Sequence, residues 1–424
     1  MNLRAQSVTR SPWVICGAAL ALRLAFLFHQ AHAIPDRVLA EVPFQNEVGS
    51  VAAALANGEG YCCLFRQPTG PTAWLAPVYP LLLAGIFKMF GIFSSASFYA
   101  AAICNCIFSA LVCLPLYHVA RRVGNQLTPP VAGWLWVVFP SGILLPFEWI
   151  WDTSLSALLG AALLWATVVL PERPRRRSFL WYGLFCGFCL LANPALGAVY
   201  PLFFLWIFWK LRSRAGKAFA GILSGAALTV LVCLPWALRN AVQFHRLIPI
   251  RSDFPFELWM GNNPIYDPDS REVSRITRYE QVHLYAQLGE TAYLDQKSQA
   301  ARAFIRTHPG LWLRLAGRRA VAWWLGTSVP WSDFQKADSL LARVVIAWNA
   351  LTLLGTIAGL GCVLWTRRAY FFPLIAFPAL FPLAYYVTQV SLRLRHPCDP
   401  SLALLMAIGA TWPLWRRKEH ANAR

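Results

Sequence analysis

The chain has 424 residues, of which 57% are hydrophobic, 14% aromatic and 13% charged. That leaves too little polar surface to cover a water-soluble globule, so the composition predicts an all-α polytopic membrane protein. The formal charge of +19 does not point to nucleic acid, because the basic residues sit in short clusters between apolar runs, as membrane topology would place them.

Residues Ser11 to His29 form the first apolar run, preceded by Arg4 and Arg10, which places the N-terminus on the cytoplasmic side. Ala31-His32-Ala33 resembles a signal-peptidase site, but the length of the run and Arg23 within it favour an uncleaved span. Arg23 inside the run reads as a packing residue or as a substrate contact.

A moderately polar loop follows over 34-91. Phe44 to Ala56 carries Val48, Val51, Ala52 and Leu55 at helical spacing, with Glu47 near the start, where a helix N-terminus favours a carboxylate. Asn57-Gly58 stops it. Pro77 to Phe90 is apolar but only about 14 residues long, short of the ~20 needed to cross a bilayer, and reads as an interfacial helix.

Further spans are expected at Ser97 to Ala120, Val131 to Pro146, Leu155 to Leu170, Phe179 to Ala192, Ala195 to Trp209 and Ala218 to Ala237. The long hydrophilic stretch from Leu238 to Lys336 falls outside, with turn signals at Asn262-Asn263-Pro264 and Asp267-Pro268-Asp269. Thr277 to Arg306 reads as one helix, and Trp312 to Leu325, with Arg314, Arg318 and Arg319, as an amphipathic helix on the membrane surface. Leu340 to Trp365, Tyr370 to Val390 and Ser401 to Trp415 bring the expectation to about ten transmembrane helices. Threaded so, the clusters at Arg121-Arg122, Arg173 to Arg177, Lys210 to Lys217, Arg367-Arg368 and Arg416-Arg417-Lys418 all fall on the cytoplasmic side. The expected regions are 1-237, an N-terminal membrane region with the first outer loop; 238-336, a long periplasmic loop; and 337-424, a C-terminal membrane region with a basic outer loop at 391-400.

No phosphate-binding glycine loop and no His/Cys metal spacing occurs in the sequence. Most of the eleven cysteines sit in apolar runs; Cys62 and Cys63 are neighbours in the first loop without an evident partner. What remains is a carboxylate in the first outer loop and a basic cluster in the last. Sugar transfer from a lipid phosphate needs a carboxylate to take the acceptor's proton and cations to hold the departing phosphate. Glu47 suits the first role, and Arg393, Arg395 and His396 the second, since the planar arginine fork binds two phosphate oxygens at once. Read more plainly, Glu47 is a helix N-terminal charge and the two arginines are headgroup anchors.

The order of these features resembles that of bacterial membrane glycosyltransferases of the GT-C fold, in the family 39 branch with protein mannosyltransferases and the aminoarabinose transferase. The features are an acidic helix in the first outer loop, the interfacial TGPTAWLAPVYPLLLAGIFKMFG, the outer-loop PIRSDFPFELWMGNNP and a late RLRHPCDP. The resemblance implies a polyprenyl-phosphate-linked sugar donor, inversion at the anomeric carbon, a glycan, lipid or protein acceptor, and a site on the outer face of the bacterial inner membrane. Two departures stand out. Relatives open the first-loop helix with an Asp-Glu pair where this chain has Pro43 and Phe44, so the base falls to Glu47, or else to Glu41 or Asp36. Ala76 stands where relatives carry a lysine before the proline of the interfacial helix, which shifts phosphate binding toward Arg393, Arg395 and His396 with Arg66 or Arg251. Asp152 is expected as a second acid that orients an arginine or holds the acceptor, or as a simple cap on its span; Glu257, Trp259, Asn262 and Asn263 read as sugar or acceptor contacts, or, for the asparagines, as turn formers. No cofactor is certain; a charge-rich loop can recruit a divalent cation to a phosphate, although no ligand set is visible. A transporter or flippase of lipid-linked sugars, or a noncatalytic envelope-assembly protein, is the rival reading. Nearly charge-free spans with polar groups gathered outside favour surface chemistry over transport.

Overall fold

A computed structural model of the chain describes residues 11–148, 150–264, 273–326 and 340–422. The turn at Asp267-Pro268-Asp269 and the side chains of Arg416-Arg417-Lys418 lie outside the described residues. The described chain is helical, with a single isolated β-bridge between Cys62 and Pro71. That is the expected outcome for apolar runs that must satisfy their backbone polar groups internally.

Among the described residues, seven helices are long and apolar enough to cross a membrane: Pro12–His32, Ser95–Val123, Thr128–Glu148, Thr153–Glu172, Arg212–Phe244, Arg343–Thr366 and Arg368–Val387. The three other expected spans are also helical, as Arg176–Ala192, Pro194–Lys210 and Asp399–Asn422. The chain is thus an all-α polytopic membrane protein. Basic clusters gather at one end of the bundle, where Arg122 pairs with Glu172 at 2.6 Å and Lys210 lies 4.9 Å from the Tyr370 ring.

Helix contacts rely on small residues and on satisfied polar groups. A Cβ added at Gly183 would stand 2.1 Å from the Gly225 carbonyl oxygen, so Arg176–Ala192 and Arg212–Phe244 meet at a distance only glycine permits. Arg23 is fully buried and donates to Ser109 Oγ at 2.8 Å and to the Ala19, Trp136 and Val137 carbonyls. Its four bonds answer the question the sequence left open: it is a packing residue that ties the first span to two others.

Three elements differ from expectation. The helix expected over Thr277 to Arg306 is two, Val273–Leu288 and Glu290–Thr307, broken at Gly289 with φ +75. The break turns Glu290 inward, where its carboxylate accepts from Thr72 Oγ1, Ser252 Oγ, Tyr285 OH and the Ala73 amide. The helix expected on the membrane surface, observed as Pro309–Leu325, buries Arg319 instead of lending it to headgroups. The ninth span is also jointed, running as Phe371–Leu380 and Leu383–Val387.

Candidate active site

At the end of the bundle opposite the basic clusters, the first loop, the long loop and the last loop enclose a cleft of about 660 Å³. Two carboxylates, Glu47 and Glu257, and three cations, Arg66, Arg251 and Arg393, line it. Phe65, Trp74, Phe256 and Tyr293 add an aromatic wall, with Trp74 and Phe256 ring centroids 5.0 Å apart.

Glu47 opens the helix Glu47–Asn57. Asn46 caps that helix by accepting from the Gly49 amide at 2.8 Å and donating to the Pro43 carbonyl at 2.9 Å, so the chain folds back sharply just before Glu47. Gly49 is required by the same turn, since a Cβ there would meet the Phe44 carbonyl oxygen at 2.3 Å. The helix ends where the sequence says it should, at Gly58 with φ +83. Glu41 and Asp36 belong to a separate short helix, Asp36–Glu41, and neither lines the cleft.

Arg251 and Glu257 form a charged cluster on the opposite wall. Arg251 pairs with Asp253, and its Nε is buried with no hydrogen-bond partner among the described residues. Burial works against the Arg251 charge, but Asp253, Glu257 and Asp152 outweigh it and hold the guanidinium ionised. Burial and the neighbouring Asp253 push the Glu257 carboxyl up to about 7, against the pull of Arg251, a hydrogen bond from Gln389 Nε2, and Arg393. A carboxyl that titrates near neutrality in a cleft is suited to give or take a proton.

Arg393 lies on the short helix Leu392–Arg395, capped by Ser391, and its guanidinium stands 4.5 Å from the Trp151 ring centroid. Next to Trp151, Asp152 accepts from Ser156 Oγ at 3.1 Å. Burial raises its carboxyl pKa, while the fields of Arg251 and Arg393 oppose the rise. Asp152 is not itself a lining residue, and its electrostatic partners are the two cleft arginines. Arg66, at φ +58, places its guanidinium 4.0 Å from the Phe93 ring centroid.

Several expected contacts lie elsewhere. Arg395 is 2% exposed: it donates to Asp399 Oδ1 at 2.9 Å, to Asn349 Oδ1 at 2.7 Å and to the Trp323 and Trp324 carbonyls. His396 is fully buried, stacked on Trp136 and 3.1 Å from Ser141 Oγ. Neither lines the cleft: the Arg395 guanidinium ties helices together, and His396 does so through Nδ1 alone, its Nε2 being buried without a hydrogen-bond partner among the described residues. Asn262, also fully buried, donates to the Leu258 and Val387 carbonyls and accepts from Arg319, while Asn263 donates to the Trp259 carbonyl. Trp259 faces Lys297 at 4.0 Å and does not line the cleft. Ala76 is buried and its carbonyl accepts from Tyr61 OH, so no cation stands at that position. Sequence reading missed Gln389, Asp253 and Trp151; Asp253 lies inside the singled-out RSDFPFE and Gln389 two residues before SLRLRHP.

Among the described residues, the one group of three metal-ligating side chains is Glu59, Cys62 and Cys63, and none of these lines the cleft.

The arrangement of spans and loops is the GT-C fold of membrane glycosyltransferases. Archaeal oligosaccharyltransferase AglB from Archaeoglobus fulgidus, in complex with an inhibitory peptide and a dolichol-phosphate, is similar at a TM-score of 0.55 and 13% identity, over 97% of this chain and 52% of that one. The Archaeoglobus fulgidus oligosaccharyltransferase tethered to an acceptor peptide matches at a TM-score of 0.53 and 13% identity, over 94% and 49%. ArnT from Cupriavidus metallidurans, in the apo state, aligns at a TM-score of 0.35 and 13% identity, over 89% and 73%. The chain spans about half the length of the archaeal structures it matches. No family model and no curated protein sequence matches it.

Proposed function

We propose that the protein is a glycosyltransferase that moves a sugar from a polyprenyl-phosphate-linked donor to a glycan, lipid or protein acceptor at the outer face of the bacterial inner membrane. The observation that carries this reading is the cleft that Glu47 and Glu257 line together with Arg66, Arg251 and Arg393 beside aromatic rings. A solved structure of the same fold that holds a dolichol-phosphate lends support to a lipid-phosphate donor.

In this reading Arg251 and Arg393, which both line the cleft, bind the donor phosphate. Glu47 takes the proton from the acceptor nucleophile as that nucleophile attacks the anomeric carbon. The bond from that carbon to the phosphate oxygen breaks on the far side, and the phosphate leaves with the electron pair, so the anomeric centre inverts. The cations face a charge that grows as the bond breaks, which is where electrostatic stabilisation lowers a barrier most. Glu257 holds a sugar hydroxyl, and Asp152 orients the two arginines from behind. Arg395 and His396 drop out of the phosphate site and are assigned to the scaffold. Carboxylates facing the cleft are of a type that can hold a divalent cation against a phosphate.

The test is release of lipid phosphate from labelled polyprenyl-phosphate sugars by the purified chain in vesicles with an envelope extract as acceptor. Glu47→Gln should lower release by ~10²–10⁴-fold, the usual worth of a general base, at unchanged thermal stability. Wild-type release by Glu47→Gln, with loss in Glu41→Gln or Asp36→Asn, would move the base to the neighbouring helix.

A further inference from the structure

Two of the eleven cysteines stand apart. Cys16, Cys106, Cys113, Cys186, Cys189, Cys233 and Cys398 are buried, and Cys104 and Cys362 belong to apolar helices. Cys62 and Cys63 instead sit part-exposed in the first loop, one turn past the end of the Glu47–Asn57 helix. Adjacent residues on an extended chain point to opposite faces. Here Cys63 adopts φ +65, a left-handed conformation rare outside glycine, and both thiols turn toward Glu59. The ligand atoms of Glu59, Cys62 and Cys63 all lie within 4.8 Å of one another.

We propose that Glu59, Cys62 and Cys63 form a binding site for a thiophilic divalent cation of the zinc type, separate from the cleft. Tetrahedral zinc with Zn–S near 2.3 Å and Zn–O near 2.1 Å sets its ligand atoms about 3.5–3.8 Å apart. Cys63 Sγ and Glu59 Oε2 are already 3.7 Å apart. The carboxylate is aimed: Asn57 Nδ2 donates to Glu59 Oε1 at 3.2 Å, which leaves Oε2 toward the thiols. The backbone that carries the ligands is also fixed. Cys63 donates its amide to the Gly70 carbonyl at 3.2 Å, Thr72 donates to the Tyr61 carbonyl at 3.1 Å, and Arg239 donates to the Tyr61 and Thr72 carbonyls at 2.9 and 2.7 Å. Binding releases the two thiol protons, leaves two thiolates and one carboxylate on the metal, and keeps the fourth position for water.

The site has a readable consequence. Leu64, Phe65 and Arg66, the residues that follow Cys63, line the cleft. A cation held at Cys62 and Cys63 would pin that segment and with it Arg66, so the metal acts on the cleft through the position of the loop.

The experiment titrates the full-length chain in detergent, purified under reductant and then exchanged, with Zn²⁺ against a chromogenic chelator. Cd²⁺ serves in parallel, read by its ultraviolet thiolate charge-transfer band. Wild type should take one equivalent, the Cys62→Ser/Cys63→Ser pair should bind more than ~100-fold more weakly and lose the band, and Glu59→Gln should weaken binding while keeping it. Equal uptake and an equal band in the double serine variant would overturn the proposal, because other thiols would then hold the metal. So would a wild-type chain, purified without reductant, in which neither thiol reacts with maleimide until reduced, since the pair would then exist as a disulfide.

Discussion

Arg393 and Arg395 are two residues apart on one short helix, yet they have opposite fates. Positions two apart on a helix point about 200° away from each other, so one arginine can face a cleft only if the other faces the bundle. Arg393 lies against Trp151 at the cleft wall, whereas Arg395 is sealed against Asp399, Asn349 and two carbonyls. The first lines the cleft. The second closes the scaffold that presents it. Arg319 repeats the scaffold pattern, donating to the Val387 and Thr388 carbonyls and to Asn262, and so joins the long loop to the end of the ninth span. Charge in these loops therefore divides by burial into groups at the cleft wall and groups that tie helices together, and residue type alone does not separate them.

The largest expected effect falls on the scaffold. Arg395→Ala leaves the Asp399 carboxylate buried without its main partner, and breaking such a pair typically costs ~3–5 kcal/mol. The chain should lose thermal stability and yield, and a well-packed apolar replacement of both partners, Arg395→Met with Asp399→Leu, should recover much of it. An Arg395→Ala protein with wild-type melting and greatly reduced transfer would place Arg395 with Arg393 at the cleft rather than in the scaffold.

Asp152→Asn should act at a middle scale. It removes a charge from behind Arg251 and Arg393 without touching the cleft, and a small misplacement of positioned groups costs ~10–100-fold in turnover. Arg393 and Arg251 also lose a balancing charge, so the pH profile of turnover should shift with the rate. A fall in rate with an unaltered profile would count against an electrostatic link and assign Asp152 to the cap of its span.

The smallest effect concerns Glu257. Its folded pKa is raised to about 7 from an ordinary value of 4.5, so the folded protein holds a proton there that the unfolded chain gives up. The stability this confers is present in full below 4.5 and is lost as pH rises through about 7. Glu257→Gln, which imitates the neutral form, should flatten melting temperature against pH over that window and raise it by ~1–3 °C at pH 8. Parallel curves for the two proteins would show that Glu257 is ionised throughout.

Much of the scaffold is legible in the sequence, because bilayer length and backbone satisfaction leave few choices. The apolar runs, the basic clusters between them and the Glu47 helix with its stop at Asn57-Gly58 all follow from local rules. The break at Gly289 was hidden because the helical spacing of apolar residues continues on both sides of it, and only the tertiary demand on Glu290 turns the chain there. In the site, Glu47, Glu257 and Arg393 follow from residue type and loop position, Arg66 and Arg251 only from the resemblance and its missing lysine at Ala76, and all five line the cleft. Arg395, His396, Asn262 and Asn263 could not be separated from them by the same reasoning. Whether a polar side chain meets a ligand or a carbonyl depends on neighbours far along the chain, such as Trp323, Ser141 and Val387.

The most direct test of the account is the rate of lipid-phosphate release by Arg393→Ala, measured beside its melting temperature in the same preparation. Loss of one charge-assisted contact to a leaving phosphate predicts a ~10²–10³-fold fall, mainly in turnover, with melting unchanged and only partial recovery in Arg393→Lys. Wild-type release by Arg393→Ala would contradict the account, because the cleft would then not be where the phosphate departs.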